Sequence, residues 1–244
     1  MGYIEGFVVA VPAANKEIYR QHAEGALKLF KGLGVTRMVE AWGDEVPDGK
    51  VTDFKGAVQA KSDEVVLFSW VEYPSKAVRD AANAKMMDDP NTKEMSKNMP
   101  FDGQRMIFAG FDAMIDDGPN DGGGGKPGYV DGTLMPVPIA NKEAFRDWAA
   151  KMAALFREYG ATRVLDGWGD DIPDGKVTDF KRAVKAKDDE TVIYGWVEWP
   201  SKAVRDAAWG KLMADPRMQP DKSQPPLFDG QRMVYGGFTP ILDA

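Results

Sequence analysis

Acidic side chains set beside tryptophans are the residues of this chain with the clearest capacity for chemistry. Glu5, Glu40, Trp42, Asp44, Trp70 and Glu72 fall on or beside apolar-rich segments, with Arg105 nearby. The same residue types return as Asp131, Asp166, Trp168, Asp170, Trp196, Glu198 and Arg232. A carboxyl group held against indole rings in a partly dry cavity has its pKa raised by desolvation and can act as a general acid or base. The indoles would stack on a flat ligand, and an arginine would hold developing negative charge. The same residues also suit a plain structural role, in which aromatic rings pack an interface and acids mark strand ends, since structural charge networks perturb pKa values too.

Other candidates are less specific. The loop motif WGDxxPDGK offers Asp44, Asp48 and Lys50 to a ligand, but Pro-Asp-Gly is ordinary turn chemistry. His22 is the single histidine, and Trp148 stands at its place in the second half of the chain. A metal site needs several convergent ligands, so none is expected. Arg37, Arg79, Arg163 and Arg205 could grip a carboxylate through the guanidinium fork or form salt bridges within a domain. The chain has no cysteine, which removes thiol nucleophiles, disulfides and thiolate metal sites. Gly122–Gly125 lacks the Ser/Thr of a phosphate loop, and no cofactor is expected.

A net charge of −7 opposes nucleic-acid backbones and anionic lipid surfaces, so neither is an expected partner. The N-terminal residues show no basic region followed by an apolar core, and no apolar run approaches the ~20 residues of a membrane span. A cytoplasmic location is the resulting expectation.

The elements that must position these residues occur twice. WGDEVPDGKVTDFK at Trp42–Lys55 returns as WGDDIPDGKVTDFK at Trp168–Lys181, and WVEYPSKAVRDAA at Trp70–Ala82 returns as WVEWPSKAVRDAA at Trp196–Ala208. Such self-similarity makes one structural unit the object to explain, and two units suggest a covalent version of a symmetric dimer. Each unit opens with a strand, Tyr3–Val11 or Tyr129–Val137, stopped by Pro12 or Pro138. A helix follows with Asn15 or Asn141 as N-cap and Tyr19, Ala23, Leu27 and Phe30, or Phe145, Ala149, Met152 and Phe156, at helical spacing. Gly34 and Gly160 stand where a left-handed terminator belongs.

Strands are then expected at Val35–Trp42 and Ala161–Trp168. Thr52–Ala60 and Thr178–Ala186 could each be a short helix, but period-two alternation favours strands there, followed by strands at Val65–Tyr73 and Thr191–Trp199. Ser75 and Ser201 cap a second helix that Asp89–Pro90 and Asp215–Pro216 end, and Arg105–Phe111 and Arg232–Phe238 supply the last strand.

The order is that of a ferredoxin-like α+β sandwich with one extended hairpin. Helices cover one sheet face. Alternation places Phe7, Val9, Met38, Trp42, Phe68 and Trp70 together on the other, along with the acidic-aromatic set. That apolar face needs cover, and the other copy is the available partner. The expected architecture is therefore two ferredoxin-like repeats with antiparallel sheets packed face to face as an intrachain dimeric α/β barrel. Asp112–Gly128 is acidic and Gly-rich, and the boundaries are set at 1–114 for the first repeat, 115–127 for a linker and 128–244 for the second repeat.

Tyr3–Val11 followed by PAANKE, then WGDxxPDGKVTDFK, W-V-E-[YW]-P and FDGQRM, resemble the YbaA-like bacterial family known as domain of unknown function 1428. The resemblance runs over essentially the whole chain, twice. It implies the dimeric α/β-barrel fold, whose superfamily includes antibiotic-biosynthesis-type monooxygenases and muconolactone-isomerase-like proteins, and it implies no activity. The functional expectation is a small-molecule-binding protein with its ligand in an α/β-barrel pocket. The alternatives are a cofactor-independent monooxygenase or isomerase acting on a small aromatic or polyketide-like substrate, and a structural or interaction pseudodimer. The two repeats pair within the chain, and further pairing between whole chains stays open.

Overall fold

The computed structural model of the chain describes residues 2–119, 125–219 and 225–244. The first repeat runs β1 (Tyr3–Pro12), α1 (Lys16–Lys31), β2 (Arg37–Glu45), α2 (Phe54–Ala57), β3 (Glu64–Tyr73), α3 (Lys76–Asp88), α4 (Pro90–Lys97) and β4 (Ile107–Asp117). The second runs β5 (Tyr129–Pro138), α5 (Lys142–Glu158), β6 (Arg163–Asp171), α6 (Phe180–Ala183), β7 (Glu190–Trp199), α7 (Lys202–Leu212) and β8 (Val234–Asp243). A 3-10 turn at Pro216–Met218 stands in the second repeat where the first has α4.

All strands pair antiparallel and close into one barrel in the order β1-β3-β2-β8-β5-β7-β6-β4. The two repeats are stitched by backbone hydrogen bonds as well as by packing, because β2 pairs with β8 and β4 pairs with β6. Both seams carry a register shift. Such bulges increase local twist and allow a sheet to curl into closure. The barrel leaves no free strand edge, which removes the usual template for aggregation.

Closure buries an aromatic stack between the sheets. Trp70 and Trp196 stack with centroids 4.2 Å apart, and Phe68 lies on Tyr194 at 4.3 Å and 6°. Glycines opposite these rings allow the approach: a Cβ on Gly6 would sit 2.9 Å from the Tyr194 ring, and one on Gly132 would sit 2.9 Å from Phe68. The Tyr194 hydroxyl, otherwise an orphan in this apolar setting, donates to the Ser69 carbonyl at 2.7 Å.

Four expectations change. Thr52–Ala60 and Thr178–Ala186 are not strands: each holds a single helical turn, α2 or α6. Phe54, Ala57 and Val58 are buried at one-turn spacing, so the segment satisfies a helical face, and the alternation in its sequence is incidental. Asp53 caps α2 by accepting from the backbone N–H of Gly56 and of Gly49, as Asp179 does for α6. Phe54 and Phe180 then stopper the barrel against Phe238 and Phe111.

Second, the apolar set assigned to one face is divided between two. The register pairs Val8 with Phe68, Phe7 with Ser69, Ala41 with Phe68 and Trp42 with Leu67. Phe68 and Trp70 therefore point into the barrel, while Phe7, Val9, Met38 and Trp42 pack under the helices. Both faces of these strands are apolar, so alternation within one strand cannot say which face is which. Third, β4 continues to Asp117, so the first residues of the expected linker form a barrel seam, and residues 120–124 of that linker lie outside the described residues. Fourth, Asn15 and Asn141 do not cap through their side chains, which donate instead to the carbonyls of Pro100 and Leu227.

Residues 1–117 expressed alone would expose the β2 and β4 edges and one half of the aromatic stack. They are expected to homodimerise in sedimentation equilibrium, because a second copy can supply the missing seams. A folded, soluble monomer would contradict the closure argument.

Candidate functional site

The sequence-predicted site residues fall into three separate environments. Glu72 and Glu198 sit at one end of the barrel beside the stacked tryptophans. The Trp70 and Trp196 indole N–H groups donate to Glu72 and Glu198, each at 3.0 Å. Arg163 grips Glu72 from the other repeat at 2.7 and 3.0 Å, and Arg37 grips Glu198 at 2.7 and 3.1 Å. Each arginine also binds a seam-strand carboxylate, Asp243 for Arg37 and Asp116 for Arg163. These groups saturate one another, so the arginine bridges run between repeats and join them.

The strand-end acids are likewise tied across the seam. Asp44 accepts from the Tyr129 hydroxyl at 3.0 Å and Asp170 from Tyr3 at 3.1 Å. Arg105 lies away from both tryptophans: it binds Glu64, Asp102 and the Gln59 carbonyl, and Arg232 repeats this with Glu190, Asp229 and the Lys185 carbonyl. The Pro-Asp-Gly loop is held by its own contacts. Asp48 pairs with exposed Lys55, and a Cβ on Gly49 would come within 2.0 Å of the Thr52 carbonyl oxygen.

Glu5, Glu40 and Trp42, with Asp131, Asp166 and Trp168, lie on the outer faces beneath the helices. Glu5 accepts from Asn83 at 2.9 Å and faces Arg79 at 3.5 Å; Asp131 accepts from Trp199, Trp209 and Arg205. Burial pushes both carboxyls up despite these partners. Trp42 and Trp168 are covered by the ammonium groups of Lys16 and Lys142, each 5.2 Å from the ring centre.

Two of the predicted set reach a cavity: Arg232 edges an open, polar hollow with Lys187, Glu190 and Asp229, and Glu40 lines an apolar one. A space of about 260 Å³ lies between the outer face of the first sheet and α1, α3 and α4. Its floor is Phe7, Val9, Met38, Glu40 and Val71, one wall is Tyr19, His22, Ala26 and Phe30, and its roof is Met86, Thr92, Met95 and Met99. The site is built by element geometry: Glu40 leaves β2 on the helix side because the register pairs it with Ser69 on β3. Tyr19 comes down from the buried stripe of α1, which also carries Ala23 and Leu27.

Glu40 is 7% exposed. Its Oε2 accepts from the Tyr19 hydroxyl at 2.7 Å and from the Ser69 hydroxyl, while Oε1 takes no hydrogen bond among the described residues. Burial pushes its pKa up to about 7, against the two hydroxyl bonds that favour the anion. His22 is half-buried, edge-on to Phe101 with centroids 6.1 Å apart, and burial lowers its pKa. The Thr92 Oγ1 is buried in the roof without a hydrogen-bond partner.

The second repeat keeps the acid and loses its surroundings. At the positions of Tyr19, His22, Ala26 and Ser69 stand Phe145, Trp148, Met152 and Gly195. Trp148 packs between Phe145 and Phe228, at 5.4 and 5.5 Å, where the first repeat has open space. Asp166 has no side-chain hydrogen bond among the described residues, and burial pushes its pKa up to about 7.

Sequence reasoning passed over Tyr19, Ser69, Thr92 and the role of His22. The usable signal was the difference between copies: Tyr19/Phe145, His22/Trp148 and Ser69/Gly195 interrupt otherwise similar repeats and converge on one place.

Two ferredoxin-like repeats closing one eight-stranded barrel define a pseudodimeric α/β-barrel protein, here with a candidate ligand cavity outside the barrel. The chain belongs to the DUF1428 family, described as a protein of unknown function, whose pattern matches residues 2–103 and again 128–230. It is 60% identical over 117 residues to the uncharacterized protein YbaA of Escherichia coli K12, covering 48% of this chain and 100% of YbaA. Among solved structures it resembles a candidate monooxygenase from Fusobacterium nucleatum, with TM-score 0.61, 10% identity, and 99% and 93% of the two chains covered. An anthrone oxidase-like protein matches with TM-score 0.55 and 11% identity over 100% and 92% of the chains. At such identities the likeness establishes the fold.

A carboxyl whose folded pKa lies above its ordinary value of 4.5 destabilises the fold as it ionises. Below the ordinary value it is protonated in both states. Between 4.5 and about 7 the folded chain holds a proton the unfolded chain has released, so stability falls as pH rises. Glu40→Gln removes this term. The variant should gain stability over the parent at about pH 8, on the order of 3 kcal/mol, and gain little near pH 4, as read from urea denaturation. Equal gains at both pH values would show that Glu40 is not desolvated.

Proposed function

We propose that the first repeat binds a small, largely apolar molecule in the cavity between its sheet and α1, α3 and α4. The observation that carries this reading is a buried carboxylate, Glu40, with one oxygen unpaired among the described residues and opening into an otherwise apolar, methionine- and aromatic-lined space. Ligand sites are typically mostly apolar hollows with a few placed polar groups, and about 260 Å³ suits a molecule of one or two rings. The orphan Thr92 hydroxyl supports the same reading, since a buried polar atom without a partner calls for one. The barrel interior is a poor candidate because the Trp70–Trp196 and Phe68–Tyr194 stacks fill it.

Catalysis by a cofactor-independent oxygenase or isomerase is the second reading, favoured by one observation. Glu40 is held near neutrality, where a carboxylate can take a proton from a bound substrate and return it. The second repeat then serves chiefly to complete the barrel.

His22→Trp places in the first repeat the residue that fills this space in the second. It should abolish binding of small aromatic ligands, read by calorimetry, while leaving the melting temperature close to the parent's. Trp42→Ala should leave binding unchanged, because Trp42 does not line the cavity. Loss of binding in Trp42→Ala with retention in His22→Trp would place the ligand elsewhere.

A further inference from the structure

The charge pattern inside the cavity narrows the chemistry of its ligand, on the reading that the cavity binds one. Among the described residues, Glu40 is the only carboxylate lining it, and no lysine or arginine lines it. The other titratable groups that face Glu40 are Tyr19, which donates to it, and His22, both from α1. From the barrel side Tyr194 approaches through the Ser69 carbonyl, and the residues contributed by α3 and α4 are uncharged. Burial lowers the His22 pKa and so disfavours its charged form, and no lysine or arginine among the described lining residues supplies a counter-charge.

Two hydroxyls nevertheless donate to the same oxygen of Glu40, an arrangement that favours the anion. Burial outweighs them, and the two hydroxyls hold Oε2 while Oε1 is left without a partner among the described residues and without a cation in the lining to offset the charge. An ionised group in an apolar space is costly unless it is paired, so whatever supplies the pair gains that compensation on binding. Rings and thioethers complete the setting. Phe7, Tyr19, Phe30 and Phe101 present π faces or edges, and methionine sulfurs are soft and adaptable. A ligand carboxylate would meet repulsion from Glu40 and no compensating cation.

We propose that the cavity of the first repeat is a site for a small lipophilic amine, whose ammonium group pairs with Glu40 Oε1 and whose aromatic or alkyl body lies against Phe7, Phe30, Met38 and Met95. The chain's net charge of −7 favours the approach of such a cation. The second repeat lacks this device: Asp166 is one methylene shorter, has lost both hydroxyl donors, and lies where Trp148 occupies the space.

The test is calorimetric titration of the full chain at about pH 8 with three probes of matched size, phenethylamine, 2-phenylethanol and phenylacetate. The amine should bind about tenfold more tightly than the alcohol, and the carboxylate should not bind. Glu40→Gln should remove the amine's advantage over the alcohol, and a cooperative melting curve shows that the variant is folded. His22→Trp should remove binding of both amine and alcohol. Equal binding of amine and alcohol by the parent, or an amine preference that survives Glu40→Gln, would overturn the amine assignment while the cavity reading stands. Absence of binding by all three probes would overturn both.

Discussion

The inner face of each four-stranded sheet can leave water only against the other, and the molecule is organised by that requirement. Neither repeat could bury Phe68, Trp70, Tyr194 or Trp196 alone, and the contact fixes more than an interface. To bring rings from opposite sheets to about van der Waals distance, Gly6 and Gly132 must lack side chains. To keep the sheets in register, β4 and β8 must extend past their own repeat and pair with β6 and β2. The carboxylates beside the tryptophans must then meet arginines from the opposite repeat, because ionised groups at the mouth of a dry core need partners. Much of the predicted acidic-aromatic site is accounted for in this way.

With the barrel filled, space for a ligand is found on the outside of a sheet, under its helices. There the two copies are free to differ, although β8 reaches under α1 and β4 under α5. The first repeat keeps Tyr19, Ser69 and Glu40 together and adds α4 as a roof. The second fills the corresponding place with Trp148 and brings Trp209 onto Asp131. A homodimer of identical subunits cannot make this distinction. A covalent pair can keep one copy chiefly for closure and the other for an open cavity.

The sequence alone determined the duplication, the α+β class, the helix-capping serines, the glycine terminators and the pairing of two sheets. Each follows from local chemistry or from apolar content too large to leave exposed. Ser75 and Ser201 accept from the N–H groups of Val78 and Val204, and Gly34 and Gly160 hold φ of +91° and +102°. Tertiary structure alone decided which face of each strand looks inward, because strands apolar on both sides carry no marker of direction until a partner fixes the register. That decision sent Trp70 and Glu72 into the barrel and Glu40 to the helices, separating residues that alternation had placed together. It also made a turn of helix out of Thr52–Ala60, where closing the barrel end outweighed the pattern of the segment. Burial acts on a residue through everything packed around it, so the sequence could name Glu40 as a carboxyl worth watching, and only the fold could give it Tyr19, Ser69 and an empty space to face.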